Sequence, residues 1–190
     1  MISVNEWVRT AFSAAKLADD AKGSHGHVNR ERSRRFVEAL GDIARSQRNN
    51  DSERVFTKHH EPNRAEFGLN ELLYDVLWCD TATTPAAEAD VVLRYITRGM
   101  WAVESEFAED SRKAVFDFNK LVLADTEAKL FIGPATSNWE DFLTPLKVVA
   151  ENVKGQLYVA LVPHPRHWKS RNEQGIMILR WSNGRWEDEK

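Results

Sequence analysis

Cysteine is almost absent from this 190-residue chain, in which Cys79 stands alone. A single thiol permits neither an intrachain disulfide nor a cysteine-rich zinc site, which fits a reducing compartment and makes the cytoplasm the expected location. Long apolar runs are missing as well. Segments such as Leu157 to Pro163 fall far short of the ~20 residues a bilayer-spanning helix needs, and the N-terminus carries no apolar signal core, so neither membrane insertion nor classical secretion is expected. No sign of charge dominates. The 26 Lys and Arg face 29 Asp and Glu, leaving a net charge of −3 that advertises no polyanion partner for the whole chain but leaves room for a local basic stripe. There is no phosphate-cradling glycine loop, no Gly-x-Ser-x-Gly elbow and no repeat of useful period, and Cys79 lies within an apolar segment where a nucleophile has no setting.

What the chain does have is bulk. It is 42% hydrophobic, with seven Trp and nine Phe, which excludes wholesale disorder and supports one domain over residues 1–190. Trp7, Val8, Ala11, Phe12, Ala15 and Leu17 recur at helical spacing, and Phe36, Val37, Leu40, Ile43 and Ala44 do the same within a helix expected from Glu31 to Arg48. The Gly- and Asn-bearing stretch Gly23 to Arg30 reads as a loop, and Asn49 to Asn63 as an exposed connection around a Val55-Phe56 contact. These N-terminal helices fill residues 1–50. In the expected core, residues 67–163, strands are anticipated at Leu72–Asp80, Ala89–Thr97 and Met100–Phe107, then a helix at Asp110–Ala124, a strand at Ala128–Gly133, a helix at Asn138–Val153 and a strand at Gly155–Pro163. Two strand-helix-strand alternations imply parallel strands at the centre of the sheet. Residues 164–190 form a C-terminal loop and a hairpin closed by Ser182-Asn183-Gly184. The expected fold is α/β, a mixed central sheet flanked by helices.

Chemistry concentrates in Val103-Glu104-Ser105-Glu106-Phe107. Two acids spaced two apart on a strand share a face, where their mutual repulsion and any desolvation cost are offset by a divalent cation. Asp75 interrupts an otherwise apolar strand and is the natural third acid. Lys120, on the helix that follows, sits at the edge of that helix's apolar face. The plainer alternative stays open: Glu104 and Glu106 at a solvated strand end, with Asp75 capping a helix or pairing with an arginine.

The order of these residues resembles the PD-(D/E)XK, or restriction-endonuclease-like, superfamily. The resemblance runs from about Glu31 to Val162 and rests on Leu73-Tyr74-Asp75-Val76, Val103-Glu104-Ser105-Glu106-Phe107, and Asp117-Phe118-Asn119-Lys120-Leu121 leading into Leu130-Phe131-Ile132. It implies a restriction-endonuclease-like core that hydrolyses phosphodiesters, DNA before RNA, with Mg²⁺ or Mn²⁺. Asp75 and Glu104 would then be metal ligands. Glu106 stands where the usual lysine belongs, as a proton acceptor or ligand of a second metal, while Lys120 matches members whose lysine has moved to the neighbouring helix. Glu38 would supply the family's helix acid, with Glu71 as competitor. Nucleases of this kind often pair, so a homodimer is an expected state. Arg30, Arg32, Arg34, Arg35, Arg166, Lys169 and Arg171 are candidate phosphate contacts. The alternative is a catalytically inactive domain of the same fold that binds protein or nucleic acid. The histidines His25, His27, His59, His60, His164 and His167 lack diagnostic zinc spacing, and Trp139, Trp168, Trp181 and Trp186 are expected in packing rather than base stacking.

Overall fold

Helix α1 (Val4–Leu17) starts at Ser3, whose hydroxyl accepts from the Glu6 amide, with Glu6 three residues on in the pattern of a capping box. Helix α2 runs His25–Ser46 from a Ser24 cap, so the stretch Gly23 to Arg30, expected as a loop, is mostly helix. Strand β1 (Glu53–Thr57) and helix α3 (Glu61–Phe67) occupy the supposed exposed connection. Strands β2 (Val76–Pro85) and β3 (Val92–Ser105) come next; the latter fuses the two strands expected at Ala89–Thr97 and Met100–Phe107. Helix α4 (Ser111–Leu123), β4 (Thr126–Pro134), α5 (Trp139–Ala150) and β5 (Gln156–Val162) follow as anticipated. A short 3-10 turn at Pro165–His167 precedes the hairpin of β6 (Met177–Ser182) and β7 (Arg185–Asp188). This is a computed structural model, and it describes residues 2–86, 92–169 and 175–189; Ala89 to Val91 of the expected second strand and Arg171 lie outside them.

Among the described residues, seven strands form one mixed sheet in sequential order. β3, β4 and β5 are mutually parallel, as the two alternations required, while β1, β2, β6 and β7 join antiparallel. Helices on both faces give two cores. One face of the sheet buries Val76, Trp78, Val103, Leu130, Ile132 and Ala160 beneath α1 and α2; the other buries Leu77, Cys79, Ala102, Phe131 and Val159 beneath α4 and α5. Strand alternation divides the residues between them. Trp168, fully buried against Phe12 and Phe36, donates its indole N–H to the Pro163 carbonyl, and Trp181 stacks edge-on with Trp186, so these tryptophans pack. The hairpin turns at Asn183 and Gly184, both with positive φ, the pairing a two-residue primed turn requires.

This topology sets the functional geography. The carboxyl ends of β1, β3, β4 and β5 and the amino end of β2 share one rim, where open α/β sheets place their ligands. Among the described residues no helix is long and apolar enough to cross a membrane.

Candidate functional site

The rim between β2 and β3 gathers the acids. The chain enters β2 through a tight bend in which the Tyr74 amide bonds to the Leu72 carbonyl and Leu73 takes a φ of 65°, a conformation a branched residue rarely adopts. That strained bend delivers Asp75 to the end of β3. One of its oxygens, Oδ2, accepts from the Ser105 amide at 2.9 Å and the Ser105 hydroxyl at 2.6 Å. Burial pushes the Asp75 carboxyl above its ordinary value, and the Ser105 bonds and the Lys120 charge only partly reverse this.

Glu104 lies on the other side of β3 and is 1% exposed. Its Oε2 accepts from Lys120 Nζ at 2.9 Å; its Oε1 is buried with no hydrogen-bond partner among the described residues. Burial, then the nearby Asp75 charge, raise the Glu104 carboxyl to about 8, against the pull of Lys120. Lys120 also bonds Asp117 at 2.9 Å, one turn back along α4. Burial disfavours its charge, but the two carboxylates more than compensate and hold the ammonium above its ordinary range.

Lys120 therefore reaches Glu104, while Asp75 bonds Ser105 on the opposite side of β3 and acts on Glu104 and Lys120 through its charge. Glu106 takes a different part. β3 ends at Ser105, and Glu106 turns its Oε1 onto the Ala108 amide at 2.6 Å, tying down the loop into α4. Among the described residues no three His, Cys, Asp or Glu side chains come together as a metal shell, so the triple set of Asp75, Glu104 and Glu106 is not assembled. Glu38 faces the same rim from α2, but its oxygens hold the β1–α3 turn, accepting from the Thr57 hydroxyl at 2.7 Å and the His59 amide at 3.0 Å. Glu71 is exposed and reaches Asp75 only through its charge.

Sequence reasoning missed the cavity itself. Asp75, Ser105, Glu38, Arg30, Arg34 and Lys58 are among the residues lining a recess of about 310 Å³ between the rim and α2. The part of α2 that had read as loop contributes Arg30, and Lys58 and His59 come from the turn after the unrecognised β1. Of the other expected phosphate contacts, Arg32 is structural: it is buried, paired with Asp19 at 2.7 Å and bonded to the Pro165 carbonyl. Arg35 pairs with Asp20 and Arg166 with Glu109.

Glu104 alone offers a buried unpartnered carboxyl oxygen, the kind of hard donor Mg²⁺ takes, while Asp75 acts on it through its charge and no group of three acids or histidines is assembled among the described residues. The chain matches no family model, no curated protein and no solved structure.

Proposed function

We propose that the chain is a Mg²⁺- or Mn²⁺-dependent nuclease of the restriction-endonuclease-like kind, hydrolysing phosphodiester bonds in DNA. The observation that carries this reading is Glu104: a carboxyl buried against its own electrostatics, under the opposing charge of Asp75, with one oxygen unpartnered. Buried charge of this kind is costly to a fold and is commonly kept for chemistry. Asp75 and Glu104 would hold the cation, which when bound supplies a Lewis acid and lowers the pKa of coordinated water. Ser105 orients Asp75 through two bonds to one oxygen. Lys120, half-exposed on α4 and paired with Glu104, supplies a permanent positive charge that would offset negative charge gathering on the phosphoryl oxygens. Arg30, Arg34 and Lys58 line the recess and meet the substrate backbone. The test is nicking of supercoiled plasmid with Mg²⁺ or Mn²⁺ beside a chelator control. Asp75→Ala is expected to reduce cleavage at least ~100-fold; metal-dependent cleavage undiminished in that variant contradicts the assignment.

A second reading, a domain of this architecture that binds nucleic acid or protein without cutting, is favoured by Glu106. The residue standing at the family's lysine position is spent on a loop amide, and no third acid joins the pair among the described residues. Retained DNA binding with no cleavage in either metal would select it.

A further inference from the structure

A second cavity of about 250 Å³ lies farther along the same rim, beyond the ends of β4 and β5, where Thr136, Ser137, His164, Arg166, His167 and Glu109 are among its lining residues. Its floor is rigid. The Pro165 carbonyl accepts from the buried Arg32 at 2.6 Å, and Trp168 is sealed in the core directly after the turn. Arg166 is oriented from two sides, its Nε donating to His167 Nε2 at 2.9 Å and its Nη2 paired with Glu109. The Arg166 amide donates to His164 Nδ1 at 3.1 Å, so the proton of a neutral His164 ring resides on Nε2 and makes that atom a donor. A pre-oriented guanidinium, an imidazole donor and two hydroxyls form a set matched to tetrahedral phosphate oxygens.

We infer that this cavity binds a single phosphate group, with Glu109 occupying the guanidinium until the phosphate takes its place. Assigning that phosphate to the backbone of a nucleic acid, at a position removed from the bond hydrolysed beside Glu104, rests on the nuclease reading; phosphate binding itself does not. The loop from Glu106 to Asp110 joins the two places, since the Glu106 amide bonds to the Ile132 carbonyl while Glu109 reaches Arg166. Histidine side-chain resonances of the full chain, titrated in chelator with inorganic phosphate and separately with a short oligothymidylate, test this without turnover. His164 and His167 are expected to shift with both ligands while His25 and His27 stay still. Arg166→Gln is expected to weaken phosphate binding by about tenfold, the loss of one charge-assisted contact, and Glu109→Gln to strengthen it by removing the competing carboxylate. No shift at His164 or His167 with either ligand, or unchanged or weaker binding in Glu109→Gln, overturns the site. Shifts with inorganic phosphate alone overturn the backbone assignment and leave a free-phosphate site. Because chelator is present throughout, an inactive enzyme that still binds phosphate would sink the nuclease reading and not this one.

Discussion

Replacing Glu104 with Gln should make the metal-free protein more stable. A carboxyl that titrates at about 8 in the fold and near its ordinary 4.5 when unfolded opposes folding at every pH above 4.5. Between these values the unfolded chain releases its proton while the folded chain keeps it, so stability falls as pH rises and levels off beyond 8. At pH 7 the penalty is on the order of 3 kcal/mol. At pH 7 the folded carboxyl still holds its proton, so the Gln amide replaces a neutral acceptor for Lys120 and that bond is kept. The gain is on the order of 3 kcal/mol, or about 6–12 °C in Tm for a chain of this size. Urea unfolding in chelator at pH 4, 7 and 8.5 measures it: the variant should match wild type at pH 4 and exceed it at the higher values. A Glu104→Gln protein less stable than wild type at pH 7 would refute the reasoning and make Glu104 a structural partner of Lys120.

Three further outcomes check the packing around the site. Asp19 is held below its ordinary carboxylate range chiefly by its bond to Arg32, so its contribution is present above pH 3.8 and lost as pH falls further; Asp19→Asn should cost about 3 kcal/mol at pH 7, with the gap to wild type closing in acid denaturation. Gly155 has a φ of 78° and a Cβ there would lie 2.6 Å from the Glu127 carbonyl oxygen, so Gly155→Ala should cost more than about 1–2 kcal/mol in urea unfolding. The Cys79 thiol, buried and pushed up to about 12 chiefly by desolvation, should resist a thiol reagent in the native protein and react on unfolding; prompt native labelling would show that this core opens readily.

How legible the molecule was depended on whether its polar groups follow simple periods. α4, β4, α5 and β5 were visible because each carries an uninterrupted apolar stripe or run, and the hairpin because Asn183-Gly184 suits few other turns. β1 escaped because Glu53 and Thr57 are polar and buried. Glu53 accepts from the Trp78 indole at 2.9 Å and from Asn49, and Thr57 bonds to Glu38, partners that only the folded chain supplies. The start of α2 was hidden by Gly26 and two histidines, weak helix formers held by the Ser24 cap and continuity with the packed helix. β3 appeared as two strands because Arg98-Gly99 reads as a break, whereas the strand runs through with its register shifted on the β2 side. In the site, the contact of Lys120 with Glu104 follows the order of strand and helix, whereas Asp75 is turned to Ser105, on the opposite side of β3, by the bend at Leu73. Glu106 was misplaced because period-two alternation was carried one residue past the end of the strand, where the loop turns its side chain to a local amide.

Under the proposed function Asp75 and Glu104 together hold one divalent cation. Calorimetric titration of Mn²⁺ into the wild-type chain, Asp75→Asn and Glu104→Gln, with circular dichroism to confirm that each is folded, addresses it without depending on substrate. Saturable binding of a single ion by wild type, weakened at least ~100-fold in each variant, is the expected result. Equal binding by all three folded proteins, or none by wild type, would contradict it.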